Sequence, residues 1–119
     1  MMVQIKGSRD CGNSPKNTFV QAVAIALETG EGQAGMFDED VAWQRPSGQE
    51  TVGREALFAE LTARAIPVVL TIDHAISHGK VGAASGESTL ADGTRRRFSH
   101  VLEFTSAKAN GVAVIKTYA

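Results

Sequence analysis

From Val68 to the end of the chain, apolar and polar residues alternate. Val68, Leu70, Ile72, His74, Ile76 and His78 share one parity, with Thr71, Asp73 and Ser77 on the other. Further on, Phe98, His100, Leu102 and Phe104 alternate with Ser99 and Glu103, and "VAVIKTYA" follows. Successive side chains of a strand point to opposite faces, so a period of two marks strands with one buried face. With "GKVGAASGESTL" between them and turns at "ADGT" and "KANG", these segments make four strands joined by short connections. Strands joined in this way pair antiparallel with their neighbours, and the second half of the chain is a meander. Gly79, Gly82 and Gly86 fall in or beside its second strand. Missing side chains let a sheet bend there, so curvature around a cavity is expected; the plainer alternative is a weak edge.

The first half supplies helices to cover such a sheet. Ser14 can cap free amides, and Pro15, with no N–H to lose, suits a first helical turn. From there to Thr29, Phe19, Val20, Val23 and Leu27 recur at helical spacing, and Gly30 is placed to end the helix. "EGQAGMFDED" is a turn leading into a short strand, "VAWQRP", with Val41, Trp43 and Arg45 on one side, Ala42 and Gln44 on the other, and Pro46 as its stop. "SGQET" is a loop, and "VGREALFAELTARA" returns to the helical period with Leu57, Phe58 and Leu61 on one stripe. Helix, strand, helix and meander make an α+β fold, an antiparallel, strongly curved sheet with its helices on one face. At 119 residues the chain forms one domain, 1–119.

Twelve basic against thirteen acidic residues leave a net charge of -1, so no global field favours nucleic acid or an anionic membrane, and neither is expected as a partner. Arg95, Arg96 and Arg97 are the one basic cluster; neighbours on a strand alternate faces, which suggests a solvated hairpin end rather than a one-sided patch. Cys11 is the single cysteine, so neither an intrachain disulfide nor a thiolate zinc site can form. No stretch approaches the ~20 apolar residues of a membrane span. "MMVQIKGSRDCGNSP" also lacks the apolar core of a signal peptide, and a cytoplasmic location is expected.

The succession "FDEDVAW", "VGREAL", "HVLEF" and "IKTYA" resembles the nuclear transport factor 2-like superfamily, which includes ketosteroid isomerases and SnoaL-like polyketide cyclases. The resemblance covers nearly the whole chain and rests on the order and spacing of short motifs. It implies a cone-shaped sheet wrapped around the long N-terminal helix, an apolar pocket in the cone and a homodimer through the outer sheet face. Ketosteroid isomerases use a carboxylate base on the first strand with a tyrosine and a protonated aspartate as oxyanion donors. Laid on that pattern, Arg45 in "QRPSG" takes the place of the base, Val23 falls near the tyrosine and His100 matches the second donor. An arginine cannot abstract a proton near neutral pH, so steroid isomerisation is excluded on this pattern.

The candidate site residues follow from parity and from the resemblance together. His74 lies between Ile72 and Ile76, and His100 between Phe98 and Leu102, both on the expected concave surface. A histidine on an apolar face is often a core residue satisfied by one hydrogen bond. Two of them on one concave surface also make an acid–base pair, and desolvation favours the neutral imidazole such work needs. Asp40, beside the first strand, is a third acid–base candidate, although "DED" also reads as a solvated turn. Trp43, Arg45, Phe98, Leu102 and Ile115 are the expected substrate-binding residues: Arg45 would hold a carboxylate or enolate, or else bridge Asp38, Glu39 or Asp40 at the rim.

His74 and His78, about 13 Å apart along a strand, cannot share a metal ion, and neither a metal nor a cofactor is expected. Asp73 points away from its neighbour His74, and with His78 is a bystander. On the last strand Ala113, Ile115 and Thr117 are expected inward, with Val112, Val114 and Tyr118 outward as the apolar face of a homodimer. Two functions are consistent with these residues. One is a cofactor-independent acid–base enzyme, of cyclase, isomerase or dehydratase type, acting on a hydrophobic carbonyl compound. The other is a non-catalytic module for dimerisation or for binding a small hydrophobic or anionic molecule.

Overall fold

The computed structural model describes residues 3–108 and 110–119. Strand β1 (Gln4–Lys6) is followed by helix α1 (Pro15–Thr29), a single 3-10 turn (Ala34–Met36), strands β2 (Phe37–Gln44) and β3 (Glu50–Val52), helix α2 (Arg54–Thr62), and the meander β4 (Val69–His78), β5 (Val81–Thr89), β6 (Arg95–Phe104) and β7 (Val112–Tyr118). The seven strands form one sheet in the order β1-β4-β5-β6-β7-β2-β3. The meander is antiparallel as expected, but β1 joins β4 and β2 joins β7 in parallel. Such pairings need a long crossover, and the segments containing α1 and α2 supply it. The turn expected at "KANG" includes residue 109, outside the described residues.

Helix α1 begins and ends where its chemistry directs. The Ser14 hydroxyl accepts from the Asn17 amide at 3.2 Å. Gly30, at φ 76°, donates its own amide to the Ala26 carbonyl. The helix lies across β4 and β5, burying Val20, Val23, Ala24 and Leu27. Its last turn goes further, for Ala26, Leu27, Glu28 and Thr29 are all buried. A helix end enclosed on every side leaves carbonyls needing partners, and Arg64 meets one, donating from Nη1 to the Leu27 carbonyl at 3.2 Å.

Curvature is made by bulges as much as by glycine. On β4, Ile72 pairs with Gly86 but His74 pairs with Ser85, so Asp73 is an extra residue on its strand. A side chain at Gly86 would run into the Thr71 carbonyl and the Phe98 ring, so the bend needs that position empty. On β7 the pairing steps from Phe104 with Val112 to Glu103 with Val114, leaving Ala113 as a bulge. Val112 is therefore buried, not outward as its parity suggested. On β2 the ladder is irregular between Phe37 and Ala42, and Asp38, Glu39 and Asp40 stand exposed beside it. No described helix is long and apolar enough to cross a membrane.

Candidate ligand-binding site

Where β2 and β7 end and β6 begins, beside the C-terminal end of α2, the structure holds a cleft of about 250 Å³. Trp43 from β2, Phe98 from β6, Pro46 and Ala119 give it apolar walls, and Thr117 from β7 and Glu28 from α1 give polar ones. Arg45, Arg64 and Arg96 reach in with Glu60, while Arg97 borders the opening.

Behind the cleft runs a polar thread linking five elements. The Trp43 indole N–H donates to Thr117 Oγ1 at 2.8 Å, and the same oxygen lies 2.8 Å from His100 Nδ1. His100 Nε2 is 2.9 Å from Glu28 Oε2, and the Ser88 hydroxyl donates to Glu28 Oε1 at 2.9 Å. A carboxylate only accepts, so Nε2 carries a proton. The Thr117 hydroxyl donates to Nδ1 when the ring is neutral and accepts from it when the ring is charged. His100 is 0% exposed and stacks on Phe98, with ring centroids 5.0 Å apart. Burial pushes the Glu28 carboxyl up, but the His100 hydrogen bond and charge, the Arg64 charge and the Ser88 hydroxyl more than offset it. The net result holds Glu28 below its ordinary range.

The arginines are held unevenly. Arg45 lies 5.1 Å from the Trp43 ring centroid, contacts Glu60 at 3.3 Å and donates to Thr51 Oγ1 at 2.9 Å. It therefore sits on its tryptophan in the cleft and bridges Glu60 rather than Asp38, Glu39 or Asp40. Burial lowers the pKa of Arg64, Glu28 raises it, and the Arg96 and Arg45 charges lower it again, with a net downward shift. Arg96 Nη2 is 3.5 Å from Glu28 Oε1, an ion-pair distance without hydrogen-bond geometry. Among the described residues, the buried side-chain nitrogens with no hydrogen-bond partner are Arg45 Nε, Arg96 Nε and Arg96 Nη2.

Several expected site residues are therefore placed differently. The Asp73 bulge flips the parity of β4, sending Ala75 inward and His74 outward, where its side chain is 72% exposed. There His74 Nδ1 meets Asp10 Oδ2 at 3.1 Å, and that oxygen also accepts from the Ala75 amide at 3.0 Å. The Ala75 amide first, and His74 next, lower the Asp10 pKa. This surface pair ties the N-terminal segment to β4, and His74 and His100 do not share a cavity. Asp40 is exposed on the parity opposite Val41 and Trp43, outside the cleft. Leu102 and Ile115 point inward but are fully buried in the core, away from its lining. Trp43, Arg45 and Phe98 do line it. Among the described residues no group of three or more His, Cys, Asp or Glu side chains is placed to hold a metal.

Glu28 and Arg96 belong to no motif, and position is their only signal. Glu28 falls on the α1 stripe defined by Val20, Ala24 and Leu27, where a charge demands a buried partner. Arg96 shares the parity of Phe98 and His100, so of the three neighbouring arginines it alone turns inward. Arg95 and Arg97 turn outward to Glu87, at 3.9 and 3.5 Å.

The architecture is the nuclear transport factor 2-like, or cystatin-like, α+β fold. A nuclear transport factor 2-like protein of unknown function from Burkholderia xenovorans matches with a TM-score of 0.71 at 17% identity, over 87% of this chain and 79% of that one. An uncharacterised cystatin-fold protein from Novosphingobium aromaticivorans matches with 0.68 at 14% identity, over 87% and 97%. A ketosteroid isomerase-like protein from Kribbella flavida matches with 0.66 at 20% identity, over 83% and 75%. No family model matches the sequence, and neither does any curated protein. Identities this low carry the fold and leave function to the site.

Proposed function

We propose that this is a small-molecule-pocket protein whose cleft holds a compact ligand with an apolar body and an oxygen-bearing head. The observation that carries the reading is the cleft itself, in which Trp43 and Phe98 form apolar walls beside buried guanidinium nitrogens that have no partner. Buried donors left unpaired are costly, and a ligand acceptor relieves them. At about 250 Å³ the space lies below the ~300 Å³ lower bound of typical drug-sized sites, which favours a compact ligand over a polycyclic one. The protein has a single tryptophan, and it lies in the wall, so its fluorescence reports occupancy directly. Titration with small cyclic carboxylates and ketones should give saturable changes in that emission. A flat response across the panel would sink the reading.

Binding is better supported than turnover, because His100 has no surface in the cleft and both Glu28 oxygens are already engaged. Cofactor-independent acid–base chemistry on a hydrophobic carbonyl compound is the second reading. It is favoured by the Glu28 carboxylate in the cleft lining, with an imidazole behind it. In that case His100→Gln abolishes turnover of a bound carbonyl compound while binding persists; equal turnover by the variant removes His100 from the reaction. The reading also includes a homodimer formed through the outer sheet face, where Ile76 and Val81 are exposed.

A further inference from the structure

We propose that the cleft is selective for a monocarboxylate, and that the side-on edge of Arg96 is the group that reads it; this rests on the small-molecule reading above. Nε and Nη2 of an arginine present two parallel N–H groups along one edge of the guanidinium plane, the spacing that matches the two oxygens of a carboxylate. In Arg96 these are the two nitrogens that are buried and unpartnered. The edge is thus a fork that makes no hydrogen bond, and a carboxylate reaches it when the Arg96 side chain, 25% exposed, turns from Glu28 toward the cleft. Its nearest acceptor is Glu28 Oε1, 3.5 Å from Nη2, and that oxygen is already taken by the Ser88 hydroxyl. Arg45 Nε, also buried and unpartnered, adds a third donor in the same cleft.

Charge selects the ligand further. Arg45, Arg64 and Arg96 stand against Glu28 and Glu60, and Arg97 leans outward to Glu87 with its side chain 87% exposed. On the lining, the side chains of Arg45, Arg64 and Arg96 outnumber those of Glu28 and Glu60, which favours an anionic ligand. A monoanion suits this excess, whereas a phosphate dianion meets stronger repulsion from the Glu28 carboxylate. Burial first, and the Arg96 and Arg45 charges after it, depress Arg64, and the same anion offsets the repulsive part. Trp43 and Phe98 supply faces for a flat apolar body, so an aromatic or cyclic monocarboxylate fits both halves of the cleft.

The test compares benzoate, benzamide and phenyl phosphate by Trp43 fluorescence at low salt. Benzamide has the shape of benzoate without its charge. Benzoate should bind at least about tenfold more tightly than either of the others, as expected for a charge-assisted bidentate contact. Arg96→Lys keeps the charge and removes the planar fork, and should weaken benzoate by roughly tenfold while leaving benzamide little changed. The comparison of ligands on the unmodified chain stands even if that variant folds poorly. Equal binding of benzoate and benzamide, tighter binding of phenyl phosphate, or an unaltered benzoate affinity in Arg96→Lys would each overturn the inference while the pocket reading survives. Binding of none of the three, nor of any other small cyclic probe, overturns both.

Discussion

Glu28 is the residue on which the site's charges depend. It is 1% exposed, and His100, Ser88, Arg96 and Arg64 are arranged about it. Removing one partner of a buried ion pair leaves the others desolvated and uncompensated, a cost of about 3–5 kcal/mol. Glu28→Leu should therefore lower Tm by roughly 10–20 °C in a thermal melt. A drop within a few degrees would mean that the arginines simply turn to solvent. The carboxyl's depressed pKa also fixes the sign of a pH effect. Its stabilising contribution is complete above the ordinary glutamate range of about 4.3 and is lost as pH falls through the folded-state value. Melts of the native chain and of Glu28→Gln between pH 7 and pH 3 should converge on acidification, because only the native chain loses this contribution; parallel curves would refute it. His100 was legible from its parity, since β6 has no bulge between Phe98 and Leu102. His74 was not, because a single extra residue on its own strand, Asp73 just before it, reverses which side chains face inward, and nothing in "TIDHA" announces it.

At the scale of elements, what could be read depended on whether a local rule or a tertiary one set the structure. Helix α1 starts at Pro15 and stops at Gly30 because capping is local chemistry. Strands β1 and β3 are three residues each, too short for a period to show, and each exists only because a longer strand lies alongside. The bulges at Asp73 and Ala113 are likewise tertiary, set by how β4 and β7 bend around α1 and the core. Gly86 is the exception that links the two kinds of rule. A glycine visible in the sequence stands directly across from the residue where the β4 ladder slips. Gly86→Ala should destabilise the chain by roughly 1–3 kcal/mol in urea unfolding, because the added carbon meets the Thr71 backbone and the Phe98 ring, 2.8 Å away. Gly35→Ala, where an added carbon meets nothing within 4 Å, should stay within about 0.5 kcal/mol. Equal effects would show that the close approach at Gly86 relaxes freely.

For the molecule as a whole, the convex face of the sheet carries the proposed homodimer contact. Ile76, Ala83, Val101 and Lys116 lie opposite one another in a row across β4, β5, β6 and β7, and His78, Val81, Glu103 and Val114 form the next row. Ile76 and Val81 are 54% and 47% exposed, and the Lys116–Glu103 ion pair, at 3.1 Å, borders them. An apolar band edged by one positive and one negative group is self-complementary under a two-fold axis, where each lysine can approach its partner's glutamate. Helix α1 packs on β4 and β5 and α2 on β2 and β3, so the proposed homodimer would form through the opposite, outer face. Val101 lies near the middle of the band and points away from the core. Val101→Arg would place two like charges near the axis and should convert a species of two chains into one, read as a halved mass by light scattering at micromolar concentration. The cleft lies on the other side of the sheet, so the variant's benzoate affinity should change by less than about twofold. A native chain that already elutes as one copy at the highest concentration tested would leave the band as ordinary surface.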